Sequence, residues 1–245
     1  MTRRRFYVPR DLIRDGVAIL PPTQSHHLTD VLRMRSGDTV EIFDGIGAGY
    51  EGRVEVRGSE VSIRDLARVP CPQSPFHVTL AAALIKPAKF EWILEKSTEL
   101  GIDEIIPLKT RLSDIRIPAD RIENRLQRWR RILEEATRQS HRFASPVLRM
   151  PLDFRDLLAE EEFSTVTKIL FYEKAADPLT SGCLLSDRVI LCVGPEGGWD
   201  PGEIDQAKGA GYHICGLGPW ILRAETAAIA AVSIVQHHLR LLGSH

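Results

Sequence analysis

Val193-Gly194-Pro195-Glu196-Gly197-Gly198-Trp199-Asp200-Pro201-Gly202-Glu203 is the stretch on which the fold turns. It leaves an apolar run, Arg188 to Val193, that reads as a strand buried on both faces. It closes with Asp200, Pro201 and Glu203, which match an N-cap, a proline at the first helical position and a capping-box acid, so a helix starts at once. The glycines and the proline between them impose an unusual backbone and leave room for a ligand to touch the main chain. A buried strand that turns through glycines into a helix is a unit of a mostly parallel α/β sheet. In such sheets ligands bind outside the carboxyl ends of the strands.

A second loop of this kind lies downstream. Tyr212 to Leu217 reads as another buried strand. It passes through Cys215-Gly216-Leu217-Gly218-Pro219-Trp220-Ile221-Leu222-Arg223-Ala224-Glu225-Thr226-Ala227 into a last helix, from Ala224 to about Leu242. Two glycine-bearing loops at strand ends are expected to wall one pocket. Arg223 is their single cation, which suits a largely neutral ligand better than a triphosphate. The small residues Ala224, Ala227, Ala228, Ala230 and Ala231 allow close helix packing, in the core or at a dimer interface.

Upstream, strands and helices alternate. His77 to Ile85, Ile102 to Leu108 and Lys168 to Tyr172 read as buried strands. Pro87 opens a helix with Phe90, Ile93, Leu94, Ser97 and Leu100 on one face and Gly101 just past its end. Arg121 to Ser140 is an amphipathic helix with the stripe Ile122, Leu126, Trp129, Leu133 and Ala136.

Before His77 the pattern is different. Gly16 to Leu20, Thr39 to Phe43, Tyr50 to Val56 and Glu60 to Ile63 read as short strands, with Asp44-Gly45 as a turn. One short helix, His26 to Met34, is expected with Ser25 as its cap and Gly37 past its end. So many short strands suggest a small barrel. Pro70-Cys71-Pro72-Gln73-Ser74-Pro75 is a stiff linker. The expected organisation is a β domain over 1–70, a linker over 71–76 and an α/β domain over 77–245.

The composition bounds the function. With 43% apolar and 27% charged residues over 245 positions, the chain is neither disordered nor a coiled coil. No apolar run approaches the roughly 18 residues of a membrane span, and the start, Met1 to Tyr7, lacks an apolar leader. A cytoplasmic protein without a membrane partner is expected. Cys71, Cys183, Cys192 and Cys215 are scattered without a C-x-x-C pair, and no H-E-x-x-H occurs, so buried thiols and no metal are expected. There is no P-loop, no early G-x-G-x-x-G dinucleotide turn and no G-x-S-x-G elbow.

The net charge of −1 hides two basic regions. Up to Arg35 seven arginines face three aspartates, and from Lys109 to Arg149 one lysine and ten arginines face five acids. Phosphate binding depends on such faces rather than on the total. The Arg121 to Ser140 helix carries Arg121, Arg125, Arg128, Arg131 and Arg138 away from its stripe, and Arg142 continues the run. Such a run can equally be a solvated face paired with Glu123, Glu134 and Glu135. Arginines interleaved with Phe6 and Tyr7 favour RNA, because aromatics stack on splayed bases. Lys86 and Lys89 add charge near a strand end.

In order along the chain stand Lys86-x-x-Lys89-x-Glu91 with Glu95-Lys96-Ser97-Thr98-Glu99-Leu100-Gly101; Glu135-Ala136-Thr137-Arg138-Gln139-Ser140 with Arg142; Gly194-Pro195-Glu196-Gly197-Gly198; and Leu217-Gly218 with Ile221-Leu222-Arg223-Ala224-Glu225-Thr226-Ala227. This set resembles the RsmE family of 16S ribosomal RNA uridine-N3 methyltransferases, in the SPOUT (α/β-knot) superfamily, over the whole chain. The resemblance implies a C-terminal trefoil-knotted, mostly parallel sheet with helices on both faces, an N-terminal PUA-like small β-barrel and a homodimer. The sequence pattern alone would argue against a knot, since deep knots are so rare.

The resemblance also implies S-adenosylmethionine in the pocket. Gly194, Pro195, Glu196, Gly197, Leu217, Gly218, Ile221 and Leu222 would hold it, largely through main chain. Leu170, Phe171 and Tyr172 would form a further wall, and Thr226 and Ala227 would sit at the helix start. Trp199 stands where Phe is common, and Pro219-Trp220 replaces a more polar pair. Arg223 and Arg138 would favour the anionic uracil, with Glu225 holding Arg223 or accepting the N3 proton. Arg3, Arg4, Arg5, Arg10, Lys86, Lys89, Arg125, Arg128 and Arg142 would grip 16S RNA in the small ribosomal subunit, near the decoding region. The alternatives are a SPOUT methyltransferase for another RNA base, a ribosome-assembly factor without catalysis, and a small-molecule α/β enzyme with incidental basic faces.

Overall fold

The structure, a computed structural model, describes residues 4–71, 74–184 and 186–239. Arg3 and the end expected for the last helix, 240–242, lie outside the described residues. The chain divides into two compact units, Met1–Gln73 with Glu134–Ser145, and Ser74–Leu133 with Pro146–His245.

The first unit holds β1 (Arg5–Tyr7), β2 (Ile13–Arg14), β3 (Val17–Ile19), α1 (Pro22–His26), β4 (Thr39–Phe43), β5 (Gly49–Arg57) and β6 (Glu60–Val69). They form a six-stranded sheet in the order β1-β4-β5-β6-β3-β2, parallel at β1–β4 and antiparallel elsewhere. The expected PUA-like barrel thus takes the form of a half-barrel. Alternation puts Val40, Ile42, Val54, Val61 and Ile63 into one core with Phe6, Val8, Ala18 and Leu28. Segment 134–145, placed by the sequence pattern inside 77–245, belongs here. Ser145 N–H donates to Gly45 O at 2.9 Å, Gly47 N–H to Phe143 O at 3.1 Å, and Arg5 Nη2 to Arg142 O at 3.2 Å.

Ser25 does not cap a helix. Pro22 sits at the first helical position, where its missing N–H costs nothing, so the helix starts earlier and Ser25 lies inside it, donating to Leu20 O. A π-turn over His27–Val31 continues it.

The second unit alternates as expected. Its elements are β7 (His77–Ala83), α2 (Pro87–Glu99), β8 (Glu104–Lys109), α3 (Ile122–Gln139, whose end counts with the first unit), β9 (Val147–Leu148), β10 (Leu152–Asp153), α4 (Phe154–Ala159), β11 (Thr167–Phe171), β12 (Arg188–Val193), α5 (Pro201–Gly209), β13 (His213–Cys215) and α6 (Ala224–His238). The sheet is parallel throughout, in the order β10-β8-β7-β12-β11-β13, with β9 beside β8. The period of two splits each strand between two cores. Leu80, Ala82, Leu191, Val193 and Phe171 face α2, α3 and α6; Ala81, Ile190, Cys192 and Leu170 face α4 and α5. β13 is shorter than its apolar run because Gly216 N–H leaves the sheet to donate to Asp177 O at 2.8 Å. No helix among the described residues is long and apolar enough to cross a membrane.

Candidate functional site

The two glycine loops and the end of β11 enclose one cavity of about 450 Å³ in the second unit. Three adjacent strands, β12, β11 and β13, deliver them to one sheet edge. Of the residues expected there, Phe171, Tyr172, Gly194, Pro195, Glu196, Gly197, Leu217, Gly218, Ile221, Leu222 and Ala227 line the cavity, as does Arg223. Leu170 does not, because strand alternation sends its side chain to the opposite face, into the core with Ile190 and Ile204. Thr226 is exposed and is not among the lining residues.

Trp199 organises the first wall. Buried against Phe154, it donates from Nε1 to Phe171 O at 3.0 Å and so pins the loop after β12 to the end of β11. This close approach explains Gly194, since a Cβ there would stand 2.9 Å from Trp199 Nε1. Asp200 accepts from Gly202 N–H, and Glu203 accepts from Asp200 N–H, completing the capping box read from the sequence. In the second wall Gly218 has a φ of 107°, which a side chain would strain. Beside it Trp220 and Ile221 are 81% and 86% exposed.

The charges are arranged differently from expectation. Lys89, on α2, places Nζ 2.8 Å from Glu196 Oε1 and 3.3 Å from Glu225 Oε2. Its hydrogen bond to Glu196, aided by Glu225, holds its pKa above the usual lysine value. Glu225 is therefore paired with Lys89 and does not hold Arg223. Arg223 is exposed at the N-cap of α6 and has no ion-pair partner among the described residues. Arg138 belongs to the first unit and pairs with Glu135.

The other basic residues separate by partner. Arg5 turns inward, 6% exposed; it pairs with Glu41 and lies 4.9 Å and 4.5 Å from the ring centroids of Phe43 and Phe143. Burial pulls its pKa below the usual arginine value against the pull of Glu41. It is a core residue rather than an RNA contact. Arg128 grips Glu91 through two bonds of 2.6 and 2.7 Å, with Arg125 3.6 Å away from the same carboxylate. Arg10 reaches Tyr50 Oη at 2.8 Å and Asp44 at 3.2 Å, while Arg4 and Lys86 are exposed. Arg142 is half-buried. Burial pushes the thiols of Cys192 and Cys215 up to about 12 and about 11, whereas Cys71 and Cys183 are only half-buried. No group of His, Cys, Asp or Glu among the described residues is arranged to hold a metal.

Glu173, Val193, Gly198, Trp199, Trp220 and Ala224 also line the cavity and are not among the residues expected to hold the cofactor. Val193 and Glu173 follow from where their strands end. For Trp199 the one signal was its place in the loop, since its partner is 28 positions away.

Known proteins resemble the chain along nearly all its length. An RNA methyltransferase domain matches residues 72–236, and an RNA methyltransferase PUA domain matches residues 20–63. The ribosomal RNA small subunit methyltransferase E of Synechocystis is 32% identical over 94% of this chain and 76% of its own. The protein of that name from Bacillus subtilis is 30% identical over 89% of this chain and 88% of its own. The crystal structure of a ribosomal RNA small subunit methyltransferase E from Neisseria gonorrhoeae bound to S-adenosyl methionine is 30% identical. It superposes with a TM-score of 0.86 over 96% of this chain and 98% of that one.

Proposed function

We propose that this chain, which belongs to the ribosomal RNA small subunit methyltransferase E family, methylates N3 of one uridine near the decoding region of 16S ribosomal RNA, using S-adenosylmethionine. The observation that carries the reading is the 450 Å³ cavity, walled by two glycine loops, with Arg223, which has no ion-pair partner among the described residues, at its edge.

The lining suits this cofactor. Phe171, Val193, Leu217, Ile221 and Leu222 offer apolar surface for a flat base, and the glycine loops offer main-chain groups close at hand. Glu173 and Glu196 put carboxylates beside a ligand that carries positive charge. When bound, S-adenosylmethionine supplies a methyl group made electrophilic by its sulfonium sulfur.

The remaining work falls to the chain. Uracil must lose its N3 proton before that nitrogen attacks the methyl carbon in line, forming N3–C as S–C breaks. Arg223 stabilises the negative charge on the uracil oxygens, so the proton can pass to solvent. Glu225, tied to Lys89, orients the first turn of α6 behind it. The RNA is held by Arg4, Arg10, Lys86 and the first unit's sheet, while Arg125 and Arg128 first have to release Glu91.

The same reading includes a trefoil knot, a homodimer and a cytoplasmic site of action. The exposed apolar pair Trp220 and Ile221 supports an oligomer.

The test uses small subunits from a strain lacking this protein, incubated with the chain and S-adenosylmethionine. Methylation at N3 removes a Watson–Crick donor, so reverse transcription should stop at one uridine near the decoding region. No stop despite tight cofactor binding would point to another base or RNA. No stop and no cofactor binding would turn the case to an assembly factor.

A further inference from the structure

A second cavity, of about 270 Å³, lies in the same unit and is lined by Lys109, Thr110, Arg111, Arg116, Asp153, Phe154, Arg155, Glu203 and Gln206. It opens where β8 and β10 end, so it shares the carboxyl edge of the sheet with the first cavity. Only β7 separates β8 from β12, which places the two strand ends about 10 Å apart at the usual strand spacing.

Its charge is unbalanced. The buried Glu203 is committed on both oxygens, accepting from Arg111 N–H at 2.9 Å and Asp200 N–H at 3.2 Å. Lys109 meets Asp153 at 3.5 Å, and Arg111 meets Asp200 at 2.9 Å. Arg116 and Arg155 are exposed and have no side-chain partner among the described residues. Two planar guanidinium groups left unpaired beside a hydroxyl, at Thr110, suit an anion with several oxygens.

We propose that this cavity binds a phosphodiester of the RNA substrate, holding the backbone of a nucleotide that flanks the base entering the first cavity. The inference rests on the proposed reaction with RNA. Arg111 couples the two places. Its main chain and side chain both bind the cap of α5, and the loop that carries it packs its Leu112 carbonyl against Gly197 of the first cavity's wall. A backbone seated here therefore abuts the loop that shapes the cofactor pocket.

The experiment measures binding of a small-subunit ribosomal RNA transcript across a salt series, for the wild type and for Arg116→Ala combined with Arg155→Ala. Affinity at moderate salt should fall about tenfold, and the slope of log affinity against log salt should shrink by about 1 for each lost phosphate contact. S-adenosylmethionine affinity and melting temperature should stand, since both side chains are exposed. Arg116→Lys with Arg155→Lys should restore the slope, because charge sets it. If the alanine variant keeps the wild-type affinity and slope, the site is overturned whatever the methylation assay gives. If the slope falls but the wild type methylates no ribosomal RNA, the site stands and the proposed reaction fails. A wild type that binds no RNA sinks both.

Discussion

Lys89 and Glu196, 107 positions apart in sequence, meet at 2.8 Å, and the same ammonium reaches Glu225 at 3.3 Å. One side chain on α2 thus joins the loop after β12 to the first turn of α6, the two walls of the cavity. Lys89→Met would leave two carboxylates facing each other without a cation. S-adenosylmethionine affinity should fall about tenfold by titration calorimetry, with Lys89→Arg recovering most of it. A loss confined to RNA affinity would instead make Lys89 the nucleic-acid contact that its sequence context suggests.

Gly194 and Trp199 should behave as a coupled pair. Gly194→Ala forces a Cβ against the indole and should lower both melting temperature and cofactor affinity. Trp199→Phe loses the hydrogen bond to Phe171 O and should cost about 1 kcal/mol of stability in denaturant titration. Because Phe lacks the atom that Gly194→Ala strikes, the double variant should lose less than the sum. Simple additivity would remove the contact as the reason for the glycine.

Arg223→Ala tests the charge at the mouth of the cavity. Single-turnover rates should fall about 10²–10³-fold while the cofactor dissociation constant stays put. Arg223→Lys should keep part of the rate. Unchanged turnover in a folded Arg223→Ala protein would remove the electrostatic role.

Arg5 and Arg10 should separate stability from RNA affinity. Arg5→Ala breaks a buried pair and leaves Glu41 without its cation, costing about 3 kcal/mol by denaturant unfolding. Arg10→Ala takes its cation from the buried Asp44, which keeps the N–H groups of Ile46 and Ala48, so it should cost less stability than Arg5→Ala while weakening RNA binding.

His77 offers a pH signature. The Glu104 carboxylate, 4.0 Å from its Nε2, holds its pKa above the usual histidine value; the charge of Asp103 acts the same way, and burial and Arg188 oppose them. A group whose pKa rises on folding stabilises fully below its unfolded value, near 6.5, and loses that contribution as pH climbs through the folded value. The melting-temperature advantage of wild type over His77→Asn should therefore be largest in mild acid and fade towards alkaline pH. An advantage that grew with pH would contradict the pairing.

Much of the cavity is legible in the sequence. Glycines, prolines and the Asp200–Glu203 capping box are local signals, and they placed two strand-to-helix turns correctly. The amphipathic stripe of α3 was legible for the same reason: Leu126, Trp129, Leu133 and Ala136 are all buried. The charged residues were read less well. Lys89, Arg125 and Arg128 look like RNA contacts in sequence, yet each lies against a carboxylate. Ser25 showed a cap's composition where two prolines had already started the helix.

The sequence by itself determined where the chain turns, which elements alternate, and that two glycine loops end parallel strands. Backbone dihedral limits, capping and hydrophobic period act over a few residues, so their signals survive in the linear order. The tertiary structure alone decided which strands are neighbours, that Leu170 faces the core, that Arg5 is buried and that segment 134–145 joins the first unit. Such facts depend on contacts between residues far apart in the chain. What a charge does is set by the partner that packing brings to it, and spacing along the sequence carries no record of that partner.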